Sequence, residues 1–576
     1  STAEQIALRQ LRDIDKTNSN YNVRLSLGLN YDIIKGLRFS STYSLDHYFT
    51  RVYTFTPDYL KYDLKSAVEA SNIAMTNIQT ENILTYNVPL STDHKLELMA
   101  GMTYNYDLLQ NLSGTAKGGP TNSIKYAGEG WPSLLNDGGT IRAAQSFLTN
   151  QQEQSLVSFL GRAVYNYKKR YMAEVSVRSD GSSVFGKDVR WGTFPSVGLG
   201  WAFSEERFMK KLWWLSFGKL RASWGKSGQK FQEPYLALGV MEESNIFNGS
   251  LGLIPQSMAN KRLTWEESDQ YDVGLDLQLL DYRLKFKLDY YYKYSSKLLM
   301  QSYLPGNVFL ATSMWDNASA ISNEGIEFEA QYDIIRKKNW NWSVGLNLSH
   351  NKNMLRKTYN GEDLNDKVLG RPVYGIYTFK DEGIVQKEGD IPMYPNASGK
   401  LTPLYFQSVN NPLRVGGRKI KDQNFDGVID DKDLYYAGST LPAVYGGLNS
   451  HLEWKGLSLD VLFSYTIGRK VMNMYKNSAF TFTKDFGVIM NYFHANDFWT
   501  PDNRGAKYPS LEFADKDYIG QFDGNVDSNI ENISFLRLKQ LVIGYQFPKT
   551  WLKGTFIKDA NIYLSGENLF LITNYS

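Results

Sequence analysis

Apolar and polar residues alternate strictly along much of this chain. In Trp342 to Ser349, Trp342, Val344, Leu346 and Leu348 alternate with Ser343, Gly345, Asn347 and Ser349. Leu284 to Tyr290 and Ile326 to Tyr332 repeat the pattern, with Leu284, Phe286, Leu288 and Tyr290 against Lys285, Lys287 and Asp289, and Ile326, Phe328, Ala330 and Tyr332 against Glu327, Glu329 and Gln331. Val23–Tyr31, Leu37–Leu45, Leu96–Tyr104, Tyr171–Arg178, Tyr271–Leu279, Val444–Trp454 and Leu457–Tyr465 follow it as well. A period of two sends successive side chains to opposite faces, so each run is a β-strand with one greasy and one wet side. Short separators such as Asp281-Tyr282-Arg283 and Lys455-Gly456 join consecutive runs into hairpins.

Two all-β architectures use such strands, a soluble sandwich and a membrane barrel, and strand length separates them. The runs extend over about 8 to 11 residues, the length a tilted strand needs to cross a bilayer, whereas sandwich strands run to about 5 or 6. Tyr31, Tyr104, Tyr171, Trp342, Trp454 and Tyr465 stand at run ends, where an interfacial aromatic girdle belongs. The chain is rich in such residues, with 39 Tyr, 30 Phe and 13 Trp in 576 residues. Mean hydropathy is −0.40 and no run of about 18 apolar residues occurs, so no helix spans a membrane. The expected fold is all-β: a large transmembrane antiparallel β-barrel with roughly sixteen or more visible strands. The absence of cysteine removes disulfides and thiolate chemistry. The formal charge of +3, from 63 basic and 60 acidic residues, gives no sign of nucleic-acid binding.

Five segments lack alternation: Phe49–Ile83, Leu108–Gln154, Gln229–Leu263, Tyr359–Ala443 and Lys470–Ile533. Loops of this length are usually functional, and in outer-membrane barrels they are extracellular. Flat rings in them are the expected ligand contacts, because an exposed aromatic stacks on a sugar face or accepts an apolar peptide side chain at low entropic cost. The candidates are Trp131, Trp315, Tyr374, Tyr377, Phe498 and Trp499. Packing of loop against loop competes for every one of them.

Particular words then add to the periodicity. Arg178-Ser179-Asp180-Gly181-Ser182-Ser183-Val184-Phe185-Gly186, followed by Arg190-Trp191-Gly192-Thr193-Phe194-Pro195-Ser196, resembles a strand-to-loop signature of the SusC/RagA family of TonB-dependent outer-membrane transporters. Leu220-Arg221-Ala222-Ser223-Trp224-Gly225, Leu263-Thr264-Trp265-Glu266, Asn323-Glu324-Gly325-Ile326-Glu327, Gly370-Arg371-Pro372, Phe535-Leu536-Arg537-Leu538-Lys539 and Glu567-Asn568-Leu569-Phe570 follow in the family's order. The resemblance covers nearly the whole chain. It implies a 22-stranded barrel with an N-terminal plug, import of an oligosaccharide or peptide across the outer membrane with TonB-derived energy, and a SusD-like surface lipoprotein as a lid. No plug, TonB box or closing strand is identifiable, and Ser1–Asn20 has no signal-peptide pattern. Residues 1–576 are therefore read as a barrel domain incomplete at both ends, with 359–443 as a long excursion. A passive porin or a scaffold anchoring surface lipoproteins are the alternatives.

The sharpest chemical motif lies in that excursion. Asp422, Asn424 and Asp426 occupy positions 1, 3 and 5 of a twelve-residue calcium loop, Gly427 position 6, the Val428 carbonyl position 7, Asp430 position 9 and Asp433 position 12. Aspartate in place of glutamate at position 12 shortens the reach. Ca2+ or Mg2+ in a structural role is expected, with a solvated Asp-rich turn as the competing reading. Nothing points to an enzyme. His47, His94, His350, His451 and His494 are scattered, no nucleophile elbow or phosphate loop occurs, and the adjacent acids Glu266 and Glu267 would face opposite sides of a strand.

Overall fold

The computed structural model describes residues 12–61, 63–128, 130–137, 140–231, 233–247, 250–305, 313–364, 367–396, 398–473, 494–514, 520–521 and 525–575. Sixteen long strands among them form one sheet in which each strand is hydrogen-bonded to the next. These are β1 (Asp15–Ile34), β2 (Leu37–Thr56), β3 (Ala67–Val88), β4 (His94–Lys117), β5 (Gln145–Tyr167), β6 (Tyr171–Ser182), β7 (Trp191–Trp201) and β8 (Leu215–Gln229). They continue with β9 (Glu266–Leu279), β10 (Leu284–Tyr303), β11 (Ser313–Lys337), β12 (Trp340–Lys357), β13 (Val444–Trp454), β14 (Leu457–Ile467), β15 (Phe535–Gln546) and β16 (Asn561–Thr573). One end of the strands carries short turns such as Lys35-Gly36, Lys168-Lys169-Arg170 and Lys455-Gly456, and the other carries the long segments. In the Lys455-Gly456 turn both residues have positive φ, 47° and 92°, the geometry that matches a tight hairpin to strand twist.

The chain divides into two compact units, one of residues 1–201, 222–270 and 295–319, the other of residues 202–221, 271–294 and 320–576. In the first unit one sheet face is apolar and exposed. Along β1, Tyr21, Val23, Leu25, Leu27, Leu29, Tyr31 and Ile33 are 46–74% exposed. Register carries this face across Leu45 and Tyr43 of β2, Tyr104 and Met102 of β4, Val157 and Phe159 of β5, and Val175 of β6 opposite Val197 of β7. From Tyr21 to Tyr31 a strand rises about 33 Å, which at a tilt near 40–45° gives an apolar band of about 24 Å. Burying one such side chain is worth about 1.5–3 kcal/mol, so a continuous exposed face of them demands a non-aqueous neighbour. The second unit shows the same face, with Leu346, Leu448, Phe463 and Leu538 in register, and Leu452, Leu459, Ile543 and Leu564 beside them.

The opposite face is polar and internally paired. Arg24 bonds Asp46, Arg38 Nε lies 2.7 Å from Asp32, Arg162 Nε 2.7 Å from Glu174 and Asn77 Nδ2 2.5 Å from Asp107. In the second unit Arg221 bridges Asp276 and Asp289 at 2.8 Å each, and His451 Nδ1 lies 2.5 Å from Asp460. Each exposed pair contributes at most about 1 kcal/mol, and together they leave the wet face with satisfied charges.

The buried apolar cores lie at the loop end, not between sheet faces. In the first unit Val184, Phe185, Phe194, Phe231, Leu263 and Trp265 pack together. The cluster unites three of the sequence words described above. Trp265 Nε1 donates to the Arg190 carbonyl at 3.0 Å, and a Cβ on Gly192 would meet the Phe194 ring at 2.4 Å, so a larger residue there would have to displace that ring from the cluster. In the second unit the core is Val385, Leu404, Phe406, Leu413, Ile420, Ile429 and Val526.

Candidate functional site

The second unit's loop layer is built around that core. Residues 359–443 are not an isolated excursion. Short ladders pair Gly375–Thr378 with Tyr435–Ser439, Asp381–Ile384 with Arg418–Ile420, Met393–Pro395 with Leu401–Pro403, and Tyr405–Phe406 with Val428–Ile429. The layer is completed by the second long segment, of which residues 474–493 lie outside the described residues. Phe379 N donates to the Asn525 carbonyl at 2.8 Å, and the fully buried Gln521 receives Arg414 N at 3.1 Å while donating to Asn411 at 2.7 Å and to the Pro412 carbonyl at 3.0 Å.

Charge locks the same junction. Arg418, 5% exposed, bonds Asp381 and Ser528. Asp527 accepts from Lys380 Nζ at 2.6 Å, the Tyr435 hydroxyl at 2.7 Å and Asp381 N at 2.9 Å. Burial works to raise the Asp527 carboxyl, but the bonds from Lys380 and Tyr435 outweigh it and hold it below the ordinary range. Burial and then Asp527 push the Tyr435 hydroxyl up to about 12. A lowered carboxyl stabilises the fold above its unfolded pKa, about 3.9, and that contribution is lost as pH falls through the folded value. Asp527→Asn should therefore flatten the acid limb of loop-layer stability below about pH 4, read as protection against hydrogen exchange; an unchanged acid limb would show that the carboxylate does not hold the junction.

The Asp-rich loop closes on itself. Asp422 accepts Phe425 N at 2.7 Å and Gly427 N at 2.8 Å; Asn424 Oδ1 accepts Asp426 N at 3.1 Å; Asp426 accepts Val428 N at 2.9 Å. Asp430 accepts Lys432 N at 2.8 Å, and Asp433 accepts Gln423 N at 2.7 Å and Asp430 N at 2.9 Å. Phe425 and Gly427 take φ of 61° and 81°, which turns the chain sharply enough for this. Asp433 is 0% and Asp422 4% exposed. Burial raises the Asp433 carboxyl above the usual range, backbone N–H groups oppose the rise and the nearby Asp422 adds to it. Among the described residues no three His, Asp or Glu side chains stand close enough together to hold a metal ion.

The six aromatic candidates divide by burial. Trp131 is 6% exposed and packs with Tyr53, Phe55, Val68 and Ala116; Phe498 and Trp499 are 4% and 8% exposed. Phe498 stands 5.8 Å from the Tyr508 ring, and Trp499 Nε1 donates to Gln386 at 3.0 Å. The expectation of exposed rings is thus corrected for these three, because their loops close over them. Trp315 is half-buried against the Phe185–Trp265 core and Tyr377 half-buried beside Tyr436. Tyr374 alone of the six is exposed, at 60%.

A polar cluster that periodicity did not flag lies where the wet sheet face meets these loops. Asn323 Oδ1 accepts from Asn353 at 2.9 Å and Asn351 at 3.3 Å, the Tyr291 hydroxyl donates to Asn351 at 3.0 Å, and Asn353 Oδ1 receives Val373 N at 2.9 Å. A Cβ on Gly325 would stand 2.5 Å from the Tyr291 oxygen, which explains the glycine after Asn323-Glu324. The only hint in the sequence is Asn351 and Asn353 at period two.

The family model described as TonB dependent receptor-like, beta-barrel matches residues 3–569. Curated relatives include TonB-dependent receptor P26 of Formosa agariphila, 29% identical over 529 residues that cover 88% of this chain and 50% of the relative. TonB-dependent receptor SusC of Bacteroides thetaiotaomicron is 28% identical over 458 residues, covering 78% of this chain and 43% of the relative. The chain spans about half the length of the curated relatives it matches. Among solved structures, the RagAB peptide transporter superposes with a TM-score of 0.79 at 22% identity, over 98% of this chain and 59% of that one, a likeness of fold.

Proposed function

This chain belongs to the TonB-dependent receptor-like β-barrel family of the outer membrane, and from that premise we propose that it forms most of the barrel of an active importer for a bulky nutrient, an oligosaccharide or a peptide. The observation that carries the reading is the asymmetry of the strand ends in the second unit: short turns at one end, and at the other a loop layer with its own apolar core and ion-pair lock. Such a layer is a rigid platform for ligand capture. The half-buried Asn323 and Asn351 amides below it, held by the buried Asn353, offer donors and acceptors suited to sugar hydroxyls or peptide groups, and the exposed Tyr374 follows Val373, whose N–H bonds Asn353. In the working assembly TonB supplies the energy through a plug, and a SusD-like lipoprotein covers the loops.

The test is uptake by cells carrying the full-length gene. Deletion should abolish growth on one class of complex glycan or peptide, and disruption of TonB should do the same. Uptake that continues at the same rate without TonB would favour a passive pore, and no nutrient phenotype would favour a scaffold.

The same proposal includes a structural cation at the Asp422 loop, held by Asp422, Asn424, Asp426, Asp430, Asp433 and the Val428 carbonyl. What supports it is the burial of Asp422 and Asp433 side by side, an arrangement that a hard cation would relieve. Millimolar Ca2+ or Mg2+ should raise the melting temperature of the wild-type protein, and a chelator should lower it. With Asp422→Ala and Asp426→Ala the two conditions should coincide. Equal melting of the wild type in both would remove the cation.

A further inference from the structure

The apolar face of the second unit is not a uniform wall. Near the short-turn end Trp340, Trp342, Leu452, Trp454, Leu457 and Leu459 line a groove of about 500 Å3. Register explains how it forms: Trp340 stands opposite Trp454 and Trp454 opposite Leu457, while Trp342, Leu452 and Leu459 make the next row. The Trp342 indole is fixed by its N–H, which donates to the Ser450 hydroxyl at 3.0 Å, so the ring is held as a wall of the groove. Lysines mark the groove's mouth. Lys455 Nζ lies 5.5 Å from the centre of the Trp454 ring, and Lys338 is two residues before Trp340. Both also line a polar cavity of about 700 Å3, with Lys549, Asn339 and Gln546 and the carboxylates of Glu453 and Asp559, of which Asp559 lies 3.9 Å from Lys549. Among the described residues neither Lys338 nor Lys455 has a carboxylate within ion-pair distance. Arg336 and Lys337, the last two residues of β11, precede Lys338 directly.

We propose that the groove and its two lysines form a binding site for an anionic phospholipid, with acyl chain against the Trp and Leu side chains and phosphate at Lys338 and Lys455. Three features converge on that occupant. The groove is apolar and preformed, the lysines of the adjoining cavity outnumber its carboxylates, and in outer-membrane barrels the short turns face the periplasm, where the leaflet is phospholipid. Trp at the headgroup level and Lys beyond it match the two layers of such a lipid. The inference rests on the chain's place in the membrane and is independent of what is imported.

The test uses the full-length protein purified from outer membranes, with lipids that remain bound identified by mass spectrometry, followed by titration with phosphatidylglycerol and phosphatidylethanolamine separately. The wild type should retain phosphatidylglycerol above its bulk share and bind it in preference to phosphatidylethanolamine. Each lysine should account for about fivefold. Lys338→Gln with Lys455→Gln should abolish the preference, and Lys338→Arg with Lys455→Arg should keep it. Heat-modifiable mobility on gels confirms that each variant is a folded barrel. Bound lipid of bulk composition in the wild type, or a preference that survives the double glutamine change, would overturn the site.

Discussion

Val175→Arg should lower barrel stability by about 2–4 kcal/mol, between roughly 30-fold and 1,000-fold in the folded-to-unfolded ratio. Val175 is central among the apolar-face residues of β6, 53% exposed, with Ala163 on one side and Val197 on the other. In water an exposed valine changed to arginine would cost almost nothing. The large penalty arises only if the neighbour is lipid, where an ionised side chain loses its hydration. The matched change on the other face is Gln79→Arg, where Gln79 Nε2 bonds Glu81 at 2.9 Å, and it should stay within about 0.5 kcal/mol. Denaturant unfolding of the refolded barrel in lipid vesicles measures both. Equal effects at the two positions would mean that the faces do not differ in solvent.

The second large effect is at Trp265. It is 4% exposed, its ring centre lies 4.8 Å from Phe185 and 5.5 Å from Phe194, and its indole donates to the Arg190 carbonyl. Trp265→Ala removes a ring from a packed core and should cost about 3–5 kcal/mol. The loss should fall on the loop end, because the buried members of the cluster are Val184, Phe185, Phe194, Phe231, Ala237, Leu263 and Trp265. Hydrogen exchange should accelerate there and not at mid-strand in β5 and β6. Trp265→Phe keeps most of the packing and loses the hydrogen bond, for about 1 kcal/mol. If protection at Ser182–Phe185 is unchanged in Trp265→Ala, the cluster is not what holds these loops.

Much of this fold is legible in the chain because lipid and lumen enforce the period of two. Leu457–Tyr465 and Ile326–Tyr332 are strands in the structure with the faces their alternation implies. The strand Ala67–Val88 was not legible, and all but its last five residues fell within the segment Phe49–Ile83, which lacks alternation. Thr76, Thr80 and Asn82 stand on its apolar face and Ile73, Met75 and Ile83 on its polar one, so the pattern is blurred. The strand forms because it pairs with a neighbour along its full length on both sides. The loop layers were harder still. The word Leu263-Thr264-Trp265 points to a family but not to its partners, since Phe185 and Phe231 are far away in sequence and meet it only in three dimensions. For the same reason Trp131 and Trp499 look like exposed ligand contacts in a linear reading. Burial is a property of the closed loop, and no local spacing encodes it. The Asn323 amides escaped notice because asparagine on a wet face is unremarkable until three of them share one oxygen.

The account stands or falls on which sheet face meets lipid, and the chain's lack of native cysteine makes that directly measurable. Single cysteines at Val175 and Val197 on the apolar face, and at Ser176 and Ser196 on the polar face, where the two hydroxyls are 2.6 Å apart, would each carry a fluorophore in vesicles of brominated lipid. Strong quenching at 175 and 197 with little at 176 and 196 is the expected result. Equal quenching at all four positions, or the reverse order, would contradict a lipid-facing apolar surface and the barrel function built on it.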